Sequence, residues 1–393
     1  MKRRFSVIFI ILAFIMSISC LGGFVISKAF ADEITDSIKT TSKSAYLIDE
    51  NTKTVIYSKN ENERLPIASM CKIMTLLLCF EASDRGQFSI DDEITISENA
   101  SSMGGSQVFL EANNKYIVGN LIKSIVVASA NDACVAMAEK CAGSEELFVN
   151  LMNERAKELG MNNTRFANCT GLPKPNQYSS AKDVSIMFCE LLKHQEYFRY
   201  SRIWTDSIYH SNERKTDISN TNKLVRFYDG CDSGKTGYTH EAGHCLVASA
   251  TRNGMRLVSV VISAHDSKTR FKEVSSMFNY GFANYTNKLV IDSDKPLDIR
   301  VDVEGGKQDN ISVLASKSFY IFSRKDQKRS VEITFSPNER IKAPIYKGDK
   351  VGQLSIYENG IEIGKIDVLS NEDILARTYF DEIINIAKNW ALI

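Results

Sequence analysis

The chain has no charge imbalance: 48 lysines and arginines face 48 aspartates and glutamates over 393 residues. Nothing therefore points to nucleic acid or another polyanion as a partner. Histidine is scarce, with five in the whole chain. His194, His210 and His265 show no ligand spacing, and a Ser-His-Asp triad has no visible support. Internal repeats and low-complexity tracts are missing, which excludes solenoid and linker-rich architectures. Past the N-terminal stretch no run is long and apolar enough to span a bilayer. Cysteine disappears beyond Cys245, and all but Cys20 lie between Cys71 and Cys245. A domain of this size needs no disulfide staples, so buried free thiols are the expectation.

The first residues read as a targeting segment rather than as fold. Lys2-Arg3-Arg4 precedes an apolar stretch from Phe5 to about Ile26, and Ala29-Phe30-Ala31 offers a small-x-small cleavage site. Residues 1–31 are expected to be a secretory signal peptide, with an uncleaved anchor as the alternative. Strands are expected at Ser44–Asp49, Val55–Tyr57, Leu246–Ala250 and Leu257–Ile262, and helices over 69–84, 117–142, 145–160 and 270–285. This is an α/β (α+β) pattern, a mixed sheet with a helical region inserted between its early and late strands. From residue 289 to 370 short alternating runs and turn residues such as Asn359-Gly360 predict a small all-β domain. Residues 371–393 have the spacing of an amphipathic helix that could tether the chain to a membrane surface; packing on the β-domain is the alternative.

Three strings carry chemistry. Ser69-Met70-Cys71-Lys72 opens a predicted helix, where residues three apart share a face. A serine hydroxyl needs a neighbouring base, and Lys72 serves if burial and the nearby charge of Lys235 keep it partly neutral. Ser129-Ala130-Asn131 lies between two apolar helical runs, placing a hydroxyl and an amide where a proton could be relayed. Lys235-Thr236-Gly237 leads into a strand. There a cation and a hydroxyl can hold a carboxylate, and glycine permits close backbone approach. Each string alone is commonplace, as a helix-start serine, a helix cap or an exposed turn lysine. The weight comes from their order and setting.

Together the strings resemble the Ser-x-x-Lys, Ser-x-Asn and Lys-Thr-Gly set of serine penicillin-binding proteins and β-lactamases. The resemblance extends to Leu65-Pro66-Ile67-Ala68-Ser69, Gly104-Gly105-Ser106, Leu159-Gly160-Met161-Asn162-Asn163-Thr164, Gly171-Leu172-Pro173 and Asn220-Thr221-Asn222-Lys223-Leu224. It also takes in Tyr238-Thr239 with Ala242-Gly243, and covers roughly residues 44–288. The chain looks like the low-molecular-weight penicillin-binding proteins, the serine D-alanyl-D-alanine carboxypeptidases (peptidase S11-like). This implies a transpeptidase/β-lactamase-like domain over 32–288, a β-sandwich-like domain after it, and exported action at the cell wall. Ser69 would attack the bond between two terminal D-alanines of a peptidoglycan stem peptide, and β-lactams would acylate it. Lys72 would be the base, and Ser129 and Asn131 would move protons and hold substrate. Lys235, Thr236 and Gly237 would meet the substrate end, Tyr238 would share the oxyanion hole with Ser69, and Arg270 would bind carboxylate. No cofactor is implied, and the outer face of the cytoplasmic membrane is an expected neighbour.

Some positions depart from that pattern. Cys231-Asp232-Ser233-Gly234 replaces an Asp-Gly-apolar lead-in, Gln177-Tyr178-Ser179 follows Gly171-Leu172-Pro173 where histidine is commoner, and Cys71 sits inside the nucleophile string. His240-Glu241-Ala242-Gly243-His244 matches a zinc-binding string. It contains glycine and precedes a strand pattern, so no metal is expected there. A class A β-lactamase would carry Ser-Asp-Asn and a distant Glu-x-x-x-Asn. Here the middle residue is Ala130, and Glu146 with Asn150 lies too near. A catalytically weak penicillin-binding or sensor protein is the non-enzyme alternative.

Overall fold

The computed structural model describes residues 38–327, 329–381 and 383, so the expected signal segment lies outside the described residues. The chain divides into two compact units between Ala283 and Asn284. In the first, β1 (Ser44–Asp49) and β2 (Val55–Lys59) form an opening hairpin. A helical block follows, with α1 (Lys72–Asp84), α2 (Val118–Ala128), α3 (Asn131–Ala142), α4 (Glu145–Glu158) and α5 (Ala181–Leu191). A small hairpin, β3 (Thr205–Tyr209) and β4 (Lys215–Ser219), precedes the strands β5 (Cys231–Thr239), β6 (Gly243–Arg252) and β7 (Met255–Ala264). The helix α6 (Ser267–Asn284) closes the run.

The strands form one five-stranded sheet in the order β2-β1-β7-β6-β5. Every pairing in it is antiparallel, which corrects the expectation of a mixed sheet. The cause is local. Asn253 and Gly254, both at positive φ, join β6 to β7 as a two-residue turn, and tight hairpins force antiparallel neighbours. The order leaves β5, which carries Lys235-Thr236-Gly237, at the sheet edge. The α1 helix is buried on nearly all sides from Lys72 to Ala82, so its run of Ile, Met, Leu and Phe needs no polar face. It passes through the core shared by the sheet and the helical block. All eight cysteines from Cys71 to Cys245 are free thiols, seven of them buried.

The second unit is all-β. One antiparallel pair joins β8 (Tyr285–Ile291) to a later strand, β11 (Phe319–Arg324). Five further strands, β9 (Arg300–Asp302), β10 (Asn310–Ala315), β12 (Val331–Pro337), β13 (Lys350–Glu358) and β14 (Ile361–Ser370), form a sheet in the order β9-β10-β14-β13-β12. The Asn359-Gly360 turn joins β13 to β14, again with both residues at positive φ. The unit begins before the composition shift at residue 289 because β8 pairs within it. The helix expected over 371–393 is corrected in its first part. Ile374 exchanges two backbone hydrogen bonds with Ile345 and is buried in the core of the unit. Helical backbone is assigned only from Tyr379, and residues 384–393 lie outside the described residues. Among the described residues no helix is long and apolar enough to cross a membrane.

Candidate active site

Ser69 sits in a single 3-10 turn, Ala68–Cys71, that feeds α1. Residues three apart eclipse in such a turn, which stacks Lys72 directly over Ser69. The Lys72 Nζ lies 3.1 Å from the Ser69 Oγ. It also donates to the Asn131 Oδ1 at 2.7 Å and to the Thr170 carbonyl at 2.5 Å. Both of those oxygens can only accept, so they occupy two N–H groups. The remaining position of the amine faces the serine, where a neutral Nζ presents a lone pair to the hydroxyl. Lys72 is fully buried, and burial pushes it below the usual lysine value. The thiolates of Cys134, Cys71 and Cys169 would oppose that shift. Burial raises all three thiols, Cys134 to about 12, so they stay neutral at ordinary pH and exert no such pull.

A second serine–lysine couple faces the first. The α2 helix ends on Ser129 in the left-handed region (φ +62°), an unfavourable state for a residue with a β-carbon. There its Oγ accepts from the Lys235 Nζ at 2.7 Å. Lys235 is 1% exposed and lies well below the usual lysine value, first through burial and then through the charge of Lys72. Asn131, first residue of α3, is fixed on both sides. Its Nδ2 donates to the Gly104 carbonyl and its backbone N–H to the Ser106 carbonyl, each at 2.7 Å. The Gly104-Gly105-Ser106 loop is thereby fastened to the nucleophile side.

The edge strand β5 lies against the Ser69 turn. A β-carbon on Gly237 would stand 2.6 Å from the Ile67 carbonyl oxygen and 3.1 Å from the Ser69 nitrogen, so only glycine permits the approach. Thr236 is buried beside it, and Tyr238 is 58% exposed. The Tyr238 ring stacks on His244, its partner across the β5–β6 pair, with centroids 4.3 Å apart. Arg270 of α6 donates through Nη1 to the carbonyls of Gly237 and Cys245, and through Nη2 to the Ser267 Oγ. It clamps the rung of backbone at Gly237, and its Nε has no partner among the described residues. His240 and His244 flank a hairpin turn and do not share a helix face. Among the described residues no cluster of His, Cys, Asp or Glu is arranged to hold a metal.

The structure thus joins Ser69, Lys72 and Asn131 in one hydrogen-bonded group and Ser129 with Lys235 in another, sets Gly237 against the Ser69 turn, and ties Arg270 to the Gly237 carbonyl, while Thr236 and Tyr238 flank Gly237 on β5. Sequence reasoning singled out Gly171-Leu172-Pro173 but missed Thr170 just before it. Thr170 contributes a backbone carbonyl, which leaves no side-chain signal. Gln177 organises the segment 167–172. Its Oε1 accepts from the Ala167 and Asn168 amides and its Nε2 donates to the Leu172 carbonyl, all at 3.0 Å. The lead-in to β5 is tied in a similar way. Asp232 accepts from the Ser249 hydroxyl at 2.5 Å and pairs with Arg256 at 2.9 Å, anchoring the start of the strand.

Comparison with known proteins agrees with this geometry. The D-alanyl-D-alanine carboxypeptidase family (peptidase S11) matches residues 31–266, and the penicillin-binding protein 5 C-terminal domain matches residues 285–375. The chain is 41% identical over 341 residues to the D-alanyl-D-alanine carboxypeptidase DacF of Bacillus subtilis, covering 86% of this chain and 87% of the relative. Penicillin-binding protein 5 of Haemophilus influenzae superposes with a TM-score of 0.68 at 29% identity, covering 86% of this chain and 98% of that one. A peptidoglycan synthesis regulatory factor (PBP3) of Streptococcus pneumoniae superposes at 0.70 with 26% identity, covering 86% and 100%.

Proposed function

The chain belongs to the peptidase S11 family of D-alanyl-D-alanine carboxypeptidases, and from that premise we propose how its own residues perform the reaction. It is a serine-type D-Ala-D-Ala carboxypeptidase. The observation that carries the residue assignment is the pair of facing couples, Ser69 with Lys72 at 3.1 Å and Ser129 with Lys235 at 2.7 Å.

In the proposed sequence the substrate's terminal carboxylate is held by Lys235 and Thr236. Neutral Lys72 takes the Ser69 proton as Oγ attacks the carbonyl between the two D-alanines. The oxyanion is received by the backbone N–H groups of Ser69 and Tyr238, the pairing favoured by the approach of Gly237 to the Ser69 turn. The C–N bond breaks, and the proton taken up by Lys72 passes through the Ser129 hydroxyl to the departing amine, which returns Lys72 to its neutral form. Water then attacks the Ser69 ester, with Lys72 again accepting a proton. Asn131 holds Lys72 in register. Arg270 acts through the Gly237 carbonyl, setting the edge strand rather than reaching over it. β-Lactams acylate Ser69 as substrate mimics.

The setting we propose is the outer side of the cytoplasmic membrane. Residues 1–31 form a removable signal peptide, the catalytic domain runs from residue 32 to Ala283, the β-domain begins at Asn284, and the end of the chain touches the membrane. The basic, apolar and small-residue order of the first 31 residues supports this.

Mass spectrometry of residues 32–393 after benzylpenicillin treatment, beside Ser69→Ala, tests the assignment, with D-alanine release from a D-Ala-D-Ala peptide followed in parallel. A Ser69-dependent adduct with D-alanine release is expected. An adduct retained in Ser69→Ala would refute it.

A further inference from the structure

Phe109 is held out of the fold by a backbone that would otherwise bury it. Its neighbours Val108 and Leu110 are buried at 0% and 4% exposure, yet Phe109 is 53% exposed. Its φ of +61° lies in the left-handed region, which a phenylalanine adopts only under external constraint. The constraint is visible on each side. The amides of Val108 and Leu110 both donate to the Asp132 Oδ2 at 3.1 Å. The Phe109 carbonyl accepts from the Arg214 Nη2 at 2.7 Å, and Arg214 is itself braced by Glu111. The Thr216 hydroxyl donates to the Val108 carbonyl at 3.1 Å. None of these contacts involves the ring, so they determine where it stands without consuming its surface.

The same segment is coupled to the catalytic groups. Asp132 directly follows Asn131, which bonds Lys72 and carries the carbonyls of Gly104 and Ser106. The loop from Gly104 to Leu110 is therefore a rigid wall whose position is set by the residues beside the nucleophile. The terminal carboxylate of the substrate is assigned to another element, the β5 strand, at Lys235 and Thr236. The peptide that precedes the scissile bond must leave by another side.

We propose that Phe109 is a specificity-determining residue of this wall, whose ring packs against the aliphatic side chain of the residue preceding the D-alanine pair. The reading rests on the substrate orientation given above. A strained, exposed aromatic with fixed flanks is preorganised to bind, because its ordering is complete before the ligand arrives. Covering the exposed half of the ring corresponds to an affinity gain of about fivefold to tenfold.

The test compares two substrates, an N-acylated Lys-D-Ala-D-Ala peptide and its Gly-D-Ala-D-Ala counterpart, with Phe109→Ala and Phe109→Gly. For both variants kcat/KM on the lysyl peptide should fall about fivefold to tenfold, chiefly through KM, while the glycyl peptide changes less than about twofold. Phe109→Gly should also keep or raise the thermal midpoint, because glycine accepts the left-handed backbone. A merely structural phenylalanine would instead lower the midpoint and both activities together. Equal losses on the two peptides, or none on either, would overturn the proposal. Unchanged D-alanine release by Ser69→Ala would strike the catalytic assignment itself, and this proposal with it.

Discussion

Gly171 is the residue at which the proposed mechanism is most exposed to a single methyl group. It has a φ of +82°, and a β-carbon there would stand 2.1 Å from the Ala68 carbonyl oxygen and 3.0 Å from the Ser69 nitrogen. Ordinary contact distances require the two segments to separate by about 1 Å. Gly171→Ala therefore adds two costs. The left-handed backbone contributes about 1–2 kcal/mol and the overpacking about 1–3 kcal/mol. A total of about 2–5 kcal/mol lowers the thermal midpoint by about 4–20 °C for a unit of this size. The displaced element is the peptide that carries Ser69, and a misplacement of about 1 Å in a reacting group costs about 100-fold in rate. Gly143 supplies the control. Its φ is +83° and a β-carbon there would meet nothing within 4 Å, so Gly143→Ala has the backbone cost alone. Benzylpenicillin acylation, followed by mass spectrometry well below either midpoint, should fall about 100-fold in Gly171→Ala and stay near the parent in Gly143→Ala. Acylation of Gly171→Ala within about threefold of the parent would refute the claim that this contact positions the nucleophile.

Gln177→Ala removes three hydrogen bonds from the segment that presents the Thr170 carbonyl, so D-alanine release should fall about tenfold, with about 1–3 kcal/mol lost in urea unfolding. Arg256→Ala leaves Asp232 without its cationic partner beneath β5 and should destabilise by about 2–3 kcal/mol, read from the same unfolding experiment. The acylation rate should rise with pH through a Lys72 limb below the ordinary lysine value of 10.5, because the base works only when neutral and burial lowers its proton affinity. The same shift makes stability rise with pH between the lowered folded value and 10.5, where the unfolded chain still holds the proton. Lys72→Met should flatten that part of a stability-versus-pH curve, and an unchanged slope would count against a depressed Lys72.

Much of this site was legible in the sequence because its chemistry resides in side chains at short, fixed spacings. Ser69 and Lys72 are separated by one turn, and the Ser129 and Lys235 strings sit at element boundaries. The Asn253-Gly254 and Asn359-Gly360 turns were likewise readable, since both demand positive φ. The illegible parts depend on partners distant in the chain. The antiparallel pairing of β1 with β7 joins residues more than two hundred positions apart, and no local pattern sets its direction. Thr170 contributes only a carbonyl. The contacts of Arg270 with the Gly237 and Cys245 carbonyls emerge only once α6 is folded onto the hairpin. At the C-terminal end the helical spacing of Leu375 and Tyr379 was real, yet pairing of Ile374 with Ile345 outweighs it.

The two lysines explain why so much buried structure surrounds one hydroxyl. A buried amine loses hydration, and two of them side by side repel when both are charged. The fold accepts this by giving each amine oxygen partners, Asn131 and Thr170 for Lys72, and Ser129 and Thr236 for Lys235. Such a pair titrates as a unit, so protonating one member disfavours protonating the other. A carboxylate arriving at Lys235 favours its charged form. That charge would add to the burial that already lowers Lys72, favouring the neutral state in which the proposed mechanism has it accept the Ser69 proton. On the proposed roles, carboxylate binding at Lys235 and activation of Lys72 would be electrostatically coupled, and a ligand without a carboxylate would forgo that coupling. The constraint also explains the neutral thiols packed around Lys72. Cys71, Cys134 and Cys169 fill the space with polarisable volume while adding no charge that would restore the proton to the base.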